Sequence, residues 1–191
     1  MRTVFFDIDT QIDFLYPAGA LYVPGAELIL PAISRLNQSA AIVVSTMCAH
    51  EENDPEFAQW PPHCVAGTTG QLKPQSTLRA RRVVVPNRPT DLAIEGAEQI
   101  IVEKQQLDLF TNPNLRRLLE LLVADEYVVY GVVTEYCVSH AALGLLETGK
   151  PVTLVTDAIR SLNEDAAART FQAFAARGGR LATISKLLPA R

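Results

Sequence analysis

The stretch Tyr127-Val-Val-Tyr-Gly-Val-Val133, followed by Thr134-Glu-Tyr-Cys137 and then Val138-Ser-His-Ala-Ala-Leu-Gly-Leu-Leu-Glu-Thr148, decides the fold class. Its first part is an unbroken apolar run, the pattern of a strand buried on both faces rather than one. A tight turn follows, and Val138 to Thr148 reads as a helix closed by Gly149. A doubly buried strand feeding a helix is the repeating unit of a parallel sheet.

The same alternation extends outward in both directions. Downstream lie a strand at Val152–Val155, a helix from Glu164 to Arg177 ending at Gly178-Gly179, and a closing strand at Leu181–Ile184. Upstream lie strands at Thr3–Ile8 and Ala41–Ser45, with a helix at Ala26–Gln38 whose apolar positions Leu28, Ile29, Ala32, Ile33 and Leu36 keep helical spacing. Further strands are expected at Arg82–Val85 and Gln99–Glu103, and a helix at Asn114–Ala124. The expected architecture is α/β, three layers αβα around a central, mainly parallel sheet, in one domain over residues 1–191. Residues 47–80 interrupt the pattern. They are rich in Pro, Gly, His and acids, and too long for an ordinary connection; such a loop belongs to function or to disorder, and Trp60 with the histidines makes disorder the weaker reading.

Composition narrows the partner. A net charge of −4, with no basic stripe, argues against nucleic acid and against an acidic membrane face. No segment approaches the ~18 apolar residues of a membrane span, and acids break the N-terminal apolar run too early for a signal peptide. Three cysteines, Cys48, Cys64 and Cys137, suit free thiols in a reducing compartment, so a cytoplasmic protein acting on a small molecule is expected. A homo-oligomer is expected as well.

In a parallel sheet the ligand sits beyond the carboxyl ends of the strands. The polar residues there are Asp9, Ser45 to His50, Lys104 and Thr134 to Cys137. Cys137 stands where a helix N-terminus would lower its pKa and where backbone N–H groups could hold an oxyanion. A buried structural cysteine is the plain alternative. Lys104 alone reads as a snorkelling surface lysine and Asp9 alone as a turn former. Together, three strand ends supply a carboxylate, an ammonium and a thiol. His140, one helical turn past Cys137, reads as a helix-face residue.

These residues resemble a family. Asp9-Thr-Gln-Ile-Asp13-Phe14 looks like the Asp-x-Gln-x-Asp-Phe opening of the isochorismatase-like cysteine hydrolases, and Gly131-Val-Val-Thr-Glu-Tyr-Cys137-Val138 like their nucleophile turn. Trp60-Pro-Pro-His63-Cys-Val-Ala-Gly67-Thr is similar to a loop of the nicotinamidase branch, and Glu103-Lys104 stands where the family places its lysine. The resemblance implies the isochorismatase-like hydrolase fold and a triad of Asp9 as general base, Lys104 as ion-pair partner and Cys137 as nucleophile, cleaving a small amide through a thioester. It implies a cis peptide between Val132 and Val133, with Val132, Val133 and Cys137 around the oxyanion. It also implies one divalent metal, most simply zinc, in the long loop. Where nicotinamidases carry Asp-x-His this chain has Cys48-Ala-His50, so His50, His63, Cys48 and Glu56 are the candidate ligands, a set zinc accepts. The alternative is loop-packing histidines and an apolar cysteine. Phe14, Trp60 and Phe110 are expected as aromatic walls for a flat heteroaromatic ring. Two other readings compete: a family hydrolase acting on a ureide, a carbamoyl amine or the vinyl ether of isochorismate, and a non-catalytic binding protein. The intact Asp9, Lys104 and Cys137 speak against the last.

Overall fold

The computed structural model describes residues 1–188. Seven strands form one sheet in the order β3-β4-β2-β1-β5-β6-β7, with every neighbouring pair parallel. They are β1 (Thr3–Ile8), β2 (Val43–Cys48), β3 (Arg82–Val85), β4 (Gln99–Lys104), β5 (Glu126–Val132), β6 (Val152–Arg160) and β7 (Arg180–Ala182). Helices α1 (Ile12–Leu15), α2 (Leu30–Ser39), α3 (Leu115–Leu122), α4 (Ser139–Leu146), α5 (Glu164–Ala176) and α6 (Ile184–Leu187) complete a three-layer α/β fold. Among the described residues no helix is long and apolar enough to cross a membrane.

The strands at the centre are those whose sequences are apolar throughout. Val4, Phe6 and Ile8 of β1 and Val129, Tyr130 and Val132 of β5 have no exposed surface, because helices cover both faces of the sheet. Edge strand β3 leaves Val84 exposed instead. Helix α5 starts where Asn163 accepts the N–H of Ala166 at 2.8 Å, with Glu164 and Asp165 in its first turn, and it runs out before Gly178 at φ +87°.

Several boundaries differ from expectation, and three of them move the site. β2 starts two residues later and runs on to Cys48, so Cys48 ends a strand rather than beginning a loop. β6 continues past Val155 to Arg160, through the polar pair Thr156-Asp157 where the apolar run stops, because its register against β5 shifts between Val129 and Gly131. The helical stretch carrying Cys137 begins at Thr134, with a π-type turn over Thr134–Val138 leading into α4. Tyr136 departs from helical geometry within that turn, at φ −117° and ψ −105°.

Candidate active site

Neighbouring parallel strands bring their carboxyl ends together, and the three residues proposed for chemistry stand there. Asp9 leaves β1 with a left-handed backbone, φ +46°, a conformation that Asp tolerates better than most side chains. Thr46 of β2 clamps it twice: its hydroxyl donates to Asp9 Oδ1 at 2.6 Å and accepts the Asp9 N–H at 3.0 Å. Lys104 is the last residue of β4. Its Nζ lies 2.8 Å from Asp9 Oδ2, an ion pair approached off the hydrogen-bonding direction, and donates to the carbonyl of Gln106 at 3.0 Å. The same ammonium donates to the thiol of Cys137 at 3.5 Å and to that of Cys48 at 3.2 Å. Asp9, Lys104 and Cys137 are 0, 1 and 6% exposed, so each charge depends on its neighbours rather than on water.

Burial and charge fix the resting protonation. Burial pushes the Asp9 carboxyl up, but the Lys104 charge and close polar contacts with Cys137, Lys104 and Thr46 outweigh it, leaving Asp9 below the usual carboxylate range. Burial pulls Lys104 down, yet the acidic groups around it hold it well above an ordinary lysine, Asp9 first. Cys137 is pushed well above an ordinary thiol, by burial first. Lys104 pulls the other way, and Asp9 and Cys48 push up again. This corrects the expectation of a thiol with a lowered pKa. Cys137 is not the first residue of its helix but the fourth of a helical stretch, buried beside a carboxylate. At neutral pH the arrangement is carboxylate, ammonium and neutral thiol.

Around Cys137 the backbone is unusual. The Val132–Val133 peptide bond is cis. Gly131 just before it sits at φ +117° against β1, where a Cβ would collide with the backbone of Ile8. The Val133 carbonyl accepts the N–H groups of Tyr136 and Val138, both at 3.1 Å, which tightens the turn.

An apolar cleft opens onto the thiol. Phe14 and Trp60 line it, together with Val132 and Val133. Sequence reasoning missed Tyr136, whose ring meets Trp60 edge-on at 5.4 Å, and Leu21, Leu107 and Leu162, which approach from separate loops with no shared motif. Phe110 does not line this cleft. Its ring fills the notch left by Gly144 of α4, where a Cβ would collide with it, and the Arg116 guanidinium stands 5.8 Å from its centroid. The expectation that it is a cleft wall is corrected to a packing role.

Beside the cleft, His50, Glu56 and His63 bring one ligand atom each within 4.8 Å of one another. His50 has no exposed surface. Its Nδ1 meets Asp54 Oδ2 at 2.9 Å, and its Nε2 is buried without a partner. His63 uses Nδ1 on the Pro61 carbonyl at 2.8 Å, so its Nε2 is likewise the lone-pair nitrogen. Two imidazole nitrogens and a carboxylate around an orphaned buried atom fit a divalent ion of the zinc type. Cys48 stands apart from this cluster. It pairs in register with Lys104 across β2 and β4, which turns its thiol to the ammonium.

The loop carrying this cluster is tied to the segment that follows β1. Gln11 accepts the Cys48 N–H at 2.7 Å and donates to the carbonyls of Cys48 and Gln71, while Asp13 accepts the N–H groups of Ala20 and Cys64. The first Asp-x-Gln-x-Asp block thus joins Asp9 to the segment bearing His63.

Comparison with known proteins agrees with this geometry. Residues 3–186 match the family model described as the isochorismatase domain. The chain is 28% identical to the nicotinamidase of Saccharomyces cerevisiae, over 83% of this chain and 88% of that protein. Among solved structures, the pyrazinamidase of Pyrococcus horikoshii in complex with zinc superposes with a TM-score of 0.78 at 26% identity, covering 96% of this chain and all of that one (100%). PnC1 from L. infantum in complex with nicotinate gives a TM-score of 0.80 at 25% identity, covering 96% and 93% of the two chains. The chain belongs to the isochorismatase family of hydrolases, near its nicotinamidase branch.

Proposed function

We propose that the protein is a cysteine amidohydrolase that releases ammonia from a flat heteroaromatic carboxamide, with Cys137 as nucleophile. One observation carries the reading: a buried ammonium, Lys104, lies 2.8 Å from the Asp9 carboxylate and 3.5 Å from the thiol of Cys137, which lines an apolar cleft. A neutral thiol needs a base, and Asp9, kept anionic by Lys104, is the group able to take its proton. Sulfur then attacks the amide carbonyl carbon, and the carbonyl oxygen becomes an oxyanion facing the backbone of the Val132–Cys137 turn. Collapse expels ammonia, which leaves with the proton held by Asp9. Water, deprotonated by Asp9, opens the thioester to the carboxylic acid and returns the thiol.

Phe14, Trp60 and Tyr136 give the ring of such a substrate aromatic contacts, each worth ~0.5–1.5 kcal/mol beyond burial. Substrates named for relatives, nicotinamide and pyrazinamide, have this shape. His50, Glu56 and His63 would hold a divalent metal, which when bound supplies a Lewis-acid anchor for a ring nitrogen or a water.

The test is ammonia release from nicotinamide, pyrazinamide and an aliphatic amide by the purified chain. Both pyridine-type amides are expected to turn over, and Cys137→Ala and Cys137→Ser to abolish turnover while keeping the fold. Ammonia release by the alanine variant near the wild-type rate would remove Cys137 from the nucleophile role. Indifference to the ring would remove the substrate class.

A further inference from the structure

The metal cluster has a feature that its three ligands do not explain. Asp54, from the same loop, touches two of them at once. Its Oδ2 accepts from His50 Nδ1 at 2.9 Å, and its Oδ1 accepts the backbone N–H of Glu56 at 2.9 Å, capping the short 3₁₀ helix Pro55–Ala58 that carries Glu56. The first contact fixes the His50 tautomer, so the lone pair is left on the buried Nε2 that has no partner. The second fixes the backbone from which the Glu56 carboxylate projects.

Charge points the same way. His50 and His63 are neutral donors, and the Cys48 thiol is turned to Lys104, so Glu56 is the one anionic ligand in the cluster facing a divalent cation. A single −1 leaves a +2 ion undercompensated in a buried site, and the further carboxylate in direct contact with a ligand side chain is Asp54, with a side chain only 10% exposed.

We infer that Asp54 is the positioning residue of the metal centre: one carboxylate that aims His50 and Glu56 together and supplies the second negative charge. The inference rests on the proposed metal site. A residue of this kind typically changes metal affinity 10–100-fold without itself being a ligand.

The test uses the full-length chain, stripped with a chelator and reloaded with Zn²⁺ or Co²⁺, its affinity read by competition with a chromophoric chelator. Wild-type protein is expected to take up one equivalent. Asp54→Asn, which keeps the shape and loses the charge, and Asp54→Ala, which loses both acceptors, are expected to bind about 10–100-fold more weakly, with an altered Co²⁺ absorption spectrum. Glu52→Gln, an exposed acid of the same loop, should leave affinity unchanged, separating Asp54 from a general charge effect. Wild-type uptake together with unaltered affinity and spectrum in both Asp54 variants would overturn the inference alone. No uptake by the wild type would overturn the metal site and the inference with it.

Discussion

At the scale of single residues, Asp9 works in two opposed ways on Cys137, and the two can be pulled apart. Its charge pushes the thiol up, while Lys104, 3.5 Å away, pulls it down. Asp9→Asn therefore leaves an uncompensated ammonium beside the sulfur and should increase the thiolate fraction. Alkylation of Cys137 by iodoacetamide at neutral pH is expected to speed up. Turnover in the same variant is expected to fall by about 10²–10⁴-fold, because nothing remains to accept and return the proton. Retained turnover with unchanged alkylation would take Asp9 out of the mechanism. The identities of Asp9, Lys104 and Cys137 were legible in the sequence because strand ends in a parallel sheet converge. Their protonation was not: it depends on burial and on the distances among three titratable groups, neither of which a linear pattern contains. Cys48 was misjudged for a related reason. Moving the end of β2 by three residues turned a presumed metal ligand into the register partner of Lys104.

At the scale of elements, apolar periodicity located every strand of the sheet, since runs such as Val128–Val133 and Ile100–Val102 have no other stable home. It placed ends poorly where packing overrides composition. β6 carries Thr156 and Asp157 inside the strand, and α1 is a single turn with no side-chain cap and nothing periodic to find. The end of α3 is a third case. The helix stops at Leu122 because Val123 turns left-handed at φ +46°, although Val is among the residues least suited to that region. Val123 is 69% exposed, so its side chain contributes little burial in return. Val123→Gly should relieve the clash and stabilise the protein by about 1 kcal/mol, the αL penalty less the added freedom of glycine in the unfolded chain. For a chain of this length that corresponds to a rise of ~2–4 °C in Tm. A lower Tm would mean that the Val123 side chain holds a contact worth more than its strain.

At the scale of the whole molecule, the buried Asp9–Lys104 pair links stability to pH. The Asp9 carboxyl is lowered, so its share of stability is present above the unfolded carboxyl value and is lost only as pH falls through the lowered one. Lys104 is raised, so its share is present below the unfolded lysine value and lost only as pH climbs through the raised one. Between about pH 5 and pH 9 neither group titrates, and the pair contributes a constant amount. Lys104→Met removes that balance. Asp9 is then a carboxylate with no exposed surface and no cation, and burial, the largest influence on it, is left to push its pKa above the unfolded value. The native state of the variant then binds more protons than the unfolded state, which reverses the slope. At neutral pH the variant should lose about 3–5 kcal/mol, the usual result of stripping one partner from a buried pair. As pH is lowered toward about 5 its deficit relative to the wild type should shrink, because a protonated Asp9 tolerates burial, while His63, which burial holds below the usual imidazole range, titrates alike in both proteins. Urea denaturation midpoints at about pH 5 and pH 8 read both effects. A deficit that grows on acidification, or stays constant, would show that Asp9 finds another cation or water once Lys104 is gone, and that the ion pair is not what keeps the carboxylate charged beside the Cys137 thiol.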